Sequence, residues 1–222
     1  VTLALHKPLH YASCKASPGQ PLARKLLVPE NRAPSCLTRH DPRQLSRLDA
    51  TDALDEASTG LLLFSQDGRV TTKVVRDPLL EKEYTVRVLG DVTPSQLYAF
   101  REGLSVVVAD CAVDASAGEP DGAHAEEEVL PAAPATVEVT ALAAAEQRPG
   151  HLEDKEEAAP GVSLLVLVRG LMPPSRLRQT CNLAGLRLQS VERTRIGRVR
   201  LAGLAVGQWT VVRRGDLLLG GA

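Results

Sequence analysis

Apolar residues along the chain fall into short runs broken by proline, glycine and charge, and the period of each run predicts an element. Residues 2–5 read as a short strand that His6-Lys7-Pro8 stops, because proline brings no amide donor to a ladder. Residues 20–27 predict a helix entered through Pro18-Gly19, and residues 28–46, rich in Pro, Asn, Arg and Ser, predict a loop. Leu61-Leu62-Leu63-Phe64 is a continuous apolar run, the pattern of a strand buried on both faces. Gln66-Asp67-Gly68 makes a turn after it, and residues 70–75 predict a helix ended by Asp77-Pro78. Residues 83–89 alternate, which puts Tyr84, Val86 and Val88 on one face of a half-buried strand.

Thr93-Pro94-Ser95 carries a helix start, with Thr93 as cap and Pro94 at the first helical position. That helix is expected to reach about Glu102 and to end at Gly103. Residues 109–135 and 143–161 are rich in Ala, Glu, Gly and Pro, and read as mobile acidic insertions flanking a strand at 136–142. Residues 162–169 predict a strong strand. A helix over 176–184 follows Pro173-Pro174-Ser175 and is closed by Gly185. Short strands at 188–193, 198–201 and 209–212 complete the chain. Two or three helices among about eight strands, without regular alternation, predict an α+β fold with a mixed, mostly antiparallel sheet.

Composition adds bounds. A chain of 222 residues, 44% apolar and 24% charged, suits one globular domain over 1–222, built as two lobes sharing one sheet. No apolar run approaches the roughly 20 residues that span a bilayer. Cys14, Cys36, Cys111 and Cys181 are far apart, and neither they nor the 5 histidines show metal-ligand spacing. Reduced intracellular thiols and no metal are expected. The net charge of −1 is unevenly spread. Residues 1–100 carry 13 Lys/Arg against 11 Asp/Glu, residues 101–160 carry 3 against 14, and residues 161–222 carry 10 against 2. All the cations of that last stretch are arginines, whose forked guanidinium matches phosphate bidentately.

Several segments, in order, resemble the RsuA/RluB/RluE/RluF group of RNA pseudouridine synthases. His6-Lys7-Pro8-Leu9 is similar to the group's opening Asn-Lys-Pro-x-Gly. Ser58-Thr59-Gly60-Leu61-Leu62-Leu63-Phe64-Ser65-Gln66-Asp67-Gly68 resembles its Ser/Thr-Gly-Leu-Leu-Leu-x-Thr-x-Asp-Gly. Glu81-Lys82-Glu83-Tyr84-Thr85-Val86 resembles Lys-x-Tyr-x-Val, and Arg193-Thr194-Arg195-Ile196-Gly197, with Leu201 and Gly207-Gln208-Trp209, resembles the closing motif. The resemblance covers nearly the whole chain except the acidic insertions, and implies the catalytic-domain fold of that group. The group's N-terminal S4 domain is not seen, the first motif starting at residue 6.

Isomerising uridine means breaking the bond from N1 to C1′, turning the base and rejoining it through C5. The base must leave its stack, and a carboxylate must act on the nucleotide as nucleophile or base. The resemblance assigns that carboxylate to Asp in Gly-Arg-Leu-Asp, five residues ahead of the Gly of Ser/Thr-Gly-Leu-Leu. Here the count from Gly60 lands on Asp55, preceded by Leu54 but with Ala53 in place of the arginine. Arg47-Leu48-Asp49 keeps the motif's chemistry six residues too early, so Asp49 is the other candidate, with residues 50–55 as an insertion. The loop tying Asp55 to the Leu-rich strand favours Asp55.

Tyr84 is implied to pack against the uracil, and Arg178, seven residues before Gly185, falls where the carboxylate's basic partner belongs. Leu171-Met172-Pro173 replaces the group's Glu-Gly-Arg. Lys7, Arg47, Arg176, Arg193 and Arg195 are the candidate phosphate contacts. No cofactor is implied. Two functions from different classes follow: a synthase acting on ribosomal RNA, or a non-catalytic homologue that binds ribosomal RNA as an assembly factor, its acidic insertions engaging ribosomal proteins. A third, with the fold alone shared and an unrelated ligand, needs the ordered motifs to be coincidence. DNA and membranes are not expected partners. Composition points to an organelle, mitochondrial for instance, with the cytoplasm as the other choice.

Overall fold

A computed structural model describes residues 1–36, 41–77, 79–116, 136–142, 161–169 and 172–217. Its strands are β1 (Thr2–Lys7), β2 (Asp49–Ala50), β3 (Ser58–Ser65), β4 (Glu81–Leu89), β5 (Thr136–Ala141), β6 (Gly161–Arg169), β7 (Arg187–Ile196), β8 (Val199–Arg200) and β9 (Trp209–Val211). Its helices are α1 (Gly68–Arg76), α2 (Pro94–Ser116), α3 (Pro174–Leu183) and the short α4 (Arg214–Leu217). The strands form one sheet in the order β5-β6-β4-β7-β3-β1-β9, with β2 paired to β3 and β8 to β7. Among the described strands only the β3–β7 pairing is parallel, with Gly60 opposite Arg193. The sheet is thus mixed and mostly antiparallel, as its sequence pattern predicted, and the fold is α+β.

The central strand β3 shows why its run is wholly apolar. Leu61 and Leu63 pack on one side with Val74 of α1, Leu80 and Ile196. Leu62 and Phe64 pack on the other with Leu3, Leu5, Leu48 and Trp209. A third cluster lies where α2 and α3 cover β4, β6 and β7, with Tyr84, Val86, Val88, Val166, Val191 and Phe100 at its centre. The alternation read from β4 holds, with each of Tyr84, Val86 and Val88 fully buried.

Two sequence readings need correction. The segment 20–27 is not an α-helix but a single 3₁₀ turn, Ala23–Leu26. Its entry is held extended by Ala12 N donating to Pro21 O and Ala23 N donating to Ala12 O. Helix α2 does not stop at Gly103 but runs to Ser116, because Leu104, Val107 and Val108 continue the face begun by Leu97 and Phe100. Gly103 is there for helix crossing. A Cβ on it would stand 2.7 Å from Thr180 Cγ2 in α3. Of the acidic segments read at 109–135 and 143–161, residues 109–116 are the end of α2 and Gly161 opens β6, and the rest lies outside the described residues.

Gly60 lets β3 approach β7 closely enough to set the site. Its φ is +106°, and a Cβ would fall 2.3 Å from the carbonyl oxygen of Arg193. Positive-φ strain costs about 1–3 kcal/mol and overpacking about 1–3 kcal/mol more. Gly60→Ala should therefore lose about 2–6 kcal/mol in urea denaturation; a loss below about 1 kcal/mol would mean the two strands are not locked at this point.

Candidate active site

The residues singled out from the sequence divide into one group that the fold gathers and one that it does not. From Asp49 the chain folds back along β3: Asp49 pairs with Ser65, Ala50 with Phe64, and Thr51 N donates to Leu63 O at 2.9 Å. The turn closes where Ser58 N donates to Asp55 O at 3.3 Å. Asp49 is therefore at the Ser65 end of β3 and Asp55 towards the Ser58 end, separated by six residues of chain that run back along the strand and can span at most about 20 Å at roughly 3.3 Å per residue. Asp49 is exposed, and among the described residues it pairs with neither Arg178 nor Tyr84.

Asp55 faces α3. Arg178 Nη2 lies 3.6 Å from Asp55 Oδ1 and also donates to Ala57 O at 2.8 Å and to Ser58 Oγ at 3.2 Å. The Asp55 side chain is 27% exposed, yet its Oδ1 is buried and has no hydrogen-bond partner among the described residues. One carboxylate oxygen is thus held beside a guanidinium, shielded from solvent, while the side chain as a whole keeps part of its surface exposed. Helix α3 places Arg178 here because Leu177 and Cys181, on its apolar side, are fixed in the core under β4 and β6.

Three residues before Asp55, Asp52 meets two buried cations in a charge cluster that sequence reasoning overlooked. Asp52 Oδ2 stands 2.8 Å from Lys82 Nζ and 2.9 Å from Arg193 Nη1. Arg193 Nη2 donates to the Asp52 carbonyl at 2.9 Å, and its Nε donates to Leu61 O at 2.8 Å. Burial by itself would raise the Asp52 carboxyl, but the charges of Arg193 and Lys82 overcome it and hold the group below the usual carboxylate range. The signal that could have found the cluster was Lys82, a charge inside the alternating stripe of β4 on the face of Tyr84, where only a paired cation is tolerated.

The remaining candidates sit differently from expectation. Arg193 is fully buried and bound to Asp52 and Leu61, so it is not a phosphate contact. Arg195 donates to Glu83 and Glu81 and to Gly197 O, its charge already neutralised within the β4–β7 ladder. Lys7 is likewise buried, and its ammonium donates to Pro8 O and Tyr11 O at 3.0 and 2.9 Å. Burial and the Arg193 charge depress it to about 8, against the opposing pull of Asp55 and Glu56. Arg47 and Arg176 are exposed. Tyr84 has no exposed surface, and its hydroxyl donates to Met172 O at 3.2 Å. Burial pushes that phenol up to about 12. Its ring is closed off beneath Met172, not open to a base. Leu171 of the same segment lies outside the described residues.

A cleft of about 570 Å³ opens elsewhere, between α1, the Ile196–Arg198 turn and the chain ends, and none of Asp55, Tyr84 and Arg178 lines it. No group of three or more His, Cys, Asp and Glu suited to a metal occurs among the described residues.

Comparison with known proteins bears on what such a cluster serves. No protein-family model matches the chain. Ribosomal large subunit pseudouridine synthase B of Pasteurella multocida (strain Pm70) is 34% identical over 82 residues, a match covering 31% of this chain and 24% of that protein's length. A crystal structure of a pseudouridylate synthase superposes over 97% of this chain and 71% of its own, with a TM-score of 0.57 at 16% identity. The chain has the pseudouridine synthase fold.

The Asp52 cluster generates a pH dependence. Because the folded-state carboxyl is depressed, its stabilising effect is fully present above the ordinary carboxylate value and fades as pH falls below it. Urea midpoints measured from pH 6 downward should fall less steeply for Asp52→Asn than for wild type once pH drops below about 4; parallel profiles would remove the cluster from the account.

Proposed function

With the pseudouridine synthase fold as premise, we propose that this chain isomerises uridine in RNA to pseudouridine, with Asp55 as its reactive carboxylate. The observation that carries the reading is the Asp55–Arg178 pair. It brings together two residues, far apart in the sequence, that the family motifs align. Asp55 acts on the nucleotide while the N1–C1′ bond breaks. The base turns in place, and C5 bonds to C1′ as its proton moves to solvent and N1 takes one up. No atom is gained or lost, so the reaction needs no cofactor. Arg178 keeps the carboxylate and the Ala57–Ser58 backbone in one frame. Binding ribosomal RNA is the finer part of the proposal, with exposed Arg47 and Arg176 as phosphate contacts whose effect is general, not sequence-specific.

A second reading has its own observation. Tyr84 is sealed under Met172 and the loop arginine of the family motif is Ala53, which suits a homologue that binds ribosomal RNA as an assembly factor without turnover. Ribosomal proteins are its further partners. An organellar, for instance mitochondrial, location rests on composition alone. No helix among the described residues is long and apolar enough to cross a membrane.

One experiment separates the readings. The chain is incubated with ribosomal RNA transcripts, and pseudouridine is scored by carbodiimide treatment and primer extension. Wild type should give stops at discrete uridines, Asp55→Asn should lose at least about 1,000-fold in rate, and Asp49→Asn should stay within about twofold. A wild-type chain that binds RNA and yields no stop supports the assembly-factor reading. Loss in Asp49→Asn with Asp55→Asn intact overturns the assignment.

A further inference from the structure

We propose that Asp52 is the positioning residue that fixes the Asp55 loop in this chain. The inference rests on the reading of Asp55 as the reactive carboxylate. The family motif at this point is Gly-Arg-Leu-Asp, whereas the chain has Asp52-Ala53-Leu54-Asp55. The charge at position 52 is thus a departure from the motif, and it is the charge that the two buried cations hold.

The geometry fits a clamp. The ladder between the folded-back segment and β3 ends at Thr51 N to Leu63 O. Beyond it, Asp52 is gripped through its side chain by Lys82 of β4 and Arg193 of β7, and through its carbonyl by Arg193 again. These are central strands of the sheet. The loop's other holds come from outside the sheet's centre: Ser13 Oγ bonds both the amide and the carbonyl of Leu54 at 3.0 and 2.7 Å, His10 N donates to Glu56 O at 2.8 Å, and Arg178 of α3 donates to Ala57 O at 2.8 Å beside Asp55. Two charge-assisted side-chain bonds to buried cations hold Asp52 more stiffly than the neutral bonds hold Leu54 and Glu56, so Asp52 ties the loop to the same two strands that carry Tyr84 and Arg193. Neutralising it leaves Lys82 and Arg193 as adjacent buried cations with no anion between them.

The test compares wild type, Asp52→Asn, the milder Lys82→Gln and a control, Arg169→Gln, which removes an ion pair on the same strand, to Glu81, without removing a group that bonds the loop. Amide hydrogen exchange at residues 53–58 is measured alongside turnover on RNA. Asp52→Asn should speed exchange in that loop at least about 10-fold, with the β4 and β7 amides unchanged. It should cut kcat at least about 10-fold with KM within about twofold, since displacing a reactive group by ~1 Å can cost ~100-fold. Lys82→Gln should move the same amides in the same direction, and it stands in for Asp52→Asn if that variant does not fold. Arg169→Gln should change neither readout. Loop exchange that stays at the wild-type rate overturns the inference, as does a fall in kcat without loosening. If wild type makes no pseudouridine on any RNA, the proposed function fails and loop exchange alone decides the role of Asp52.

Discussion

The arrangement depends on a constraint that electrostatics imposes on the centre of the sheet. Two cations, Lys82 and Arg193, are buried side by side on neighbouring strands, and such charges are tolerated only with an anion between them. The anion comes from Asp52, a residue of an irregular segment that must therefore lie over the ends of β4 and β7. Once it does, Asp55 follows three residues later, at the N-terminal end of β3, where α3 brings Arg178 to it. A buried ion cluster of this kind gives little net stability, because desolvation offsets attraction. Its effect here is geometric: other placements of the loop leave a charge unpaired.

Much of the fold was legible in the sequence, because its elements obey simple periods. β3 is an unbroken apolar run as it is covered on both sides, and β4 alternates as only one side meets α2 and α3. Legibility failed where tertiary contact overrode a local signal. Gly103 reads as a helix stop but serves a close helix crossing. Residues 20–27 have helical composition but are drawn extended by backbone bonds to Ala12. β2 is too short to show a period at all.

The candidate site was partly legible. The motifs of the resembled family, counted from Gly60, favoured Asp55 over Asp49, and counted back from Gly185 they pointed to Arg178; the fold puts Asp55 and Arg178 within an ion-pair distance. Charge patterning misled at Lys7, Arg193 and Arg195. A stretch of arginines looks like a phosphate-binding face, yet two of them point along the sheet to carboxylates of other segments, and a linear sequence gives no sign of which partners folding will supply. Asp52 was passed over because a single acidic residue in a loop is ordinary, and its meaning appears only with Lys82 and Arg193 beside it. Tyr84 marks the tension between the two functional readings: it is joined to the Asp52 cluster through Arg193 and closed beneath Met172.

The central claim is that Asp55, paired with Arg178 and three residues after the ion-paired Asp52, is the carboxylate that meets the nucleotide. The most direct measurement is a crystal structure of the chain bound to a uridine-containing RNA stem-loop. The account predicts a uridine turned out of its stack, with C1′ roughly 3–3.5 Å from an Asp55 carboxylate oxygen and Asp52 still between Lys82 and Arg193. RNA bound with every base stacked, or a flipped base seated away from Asp55, would contradict it.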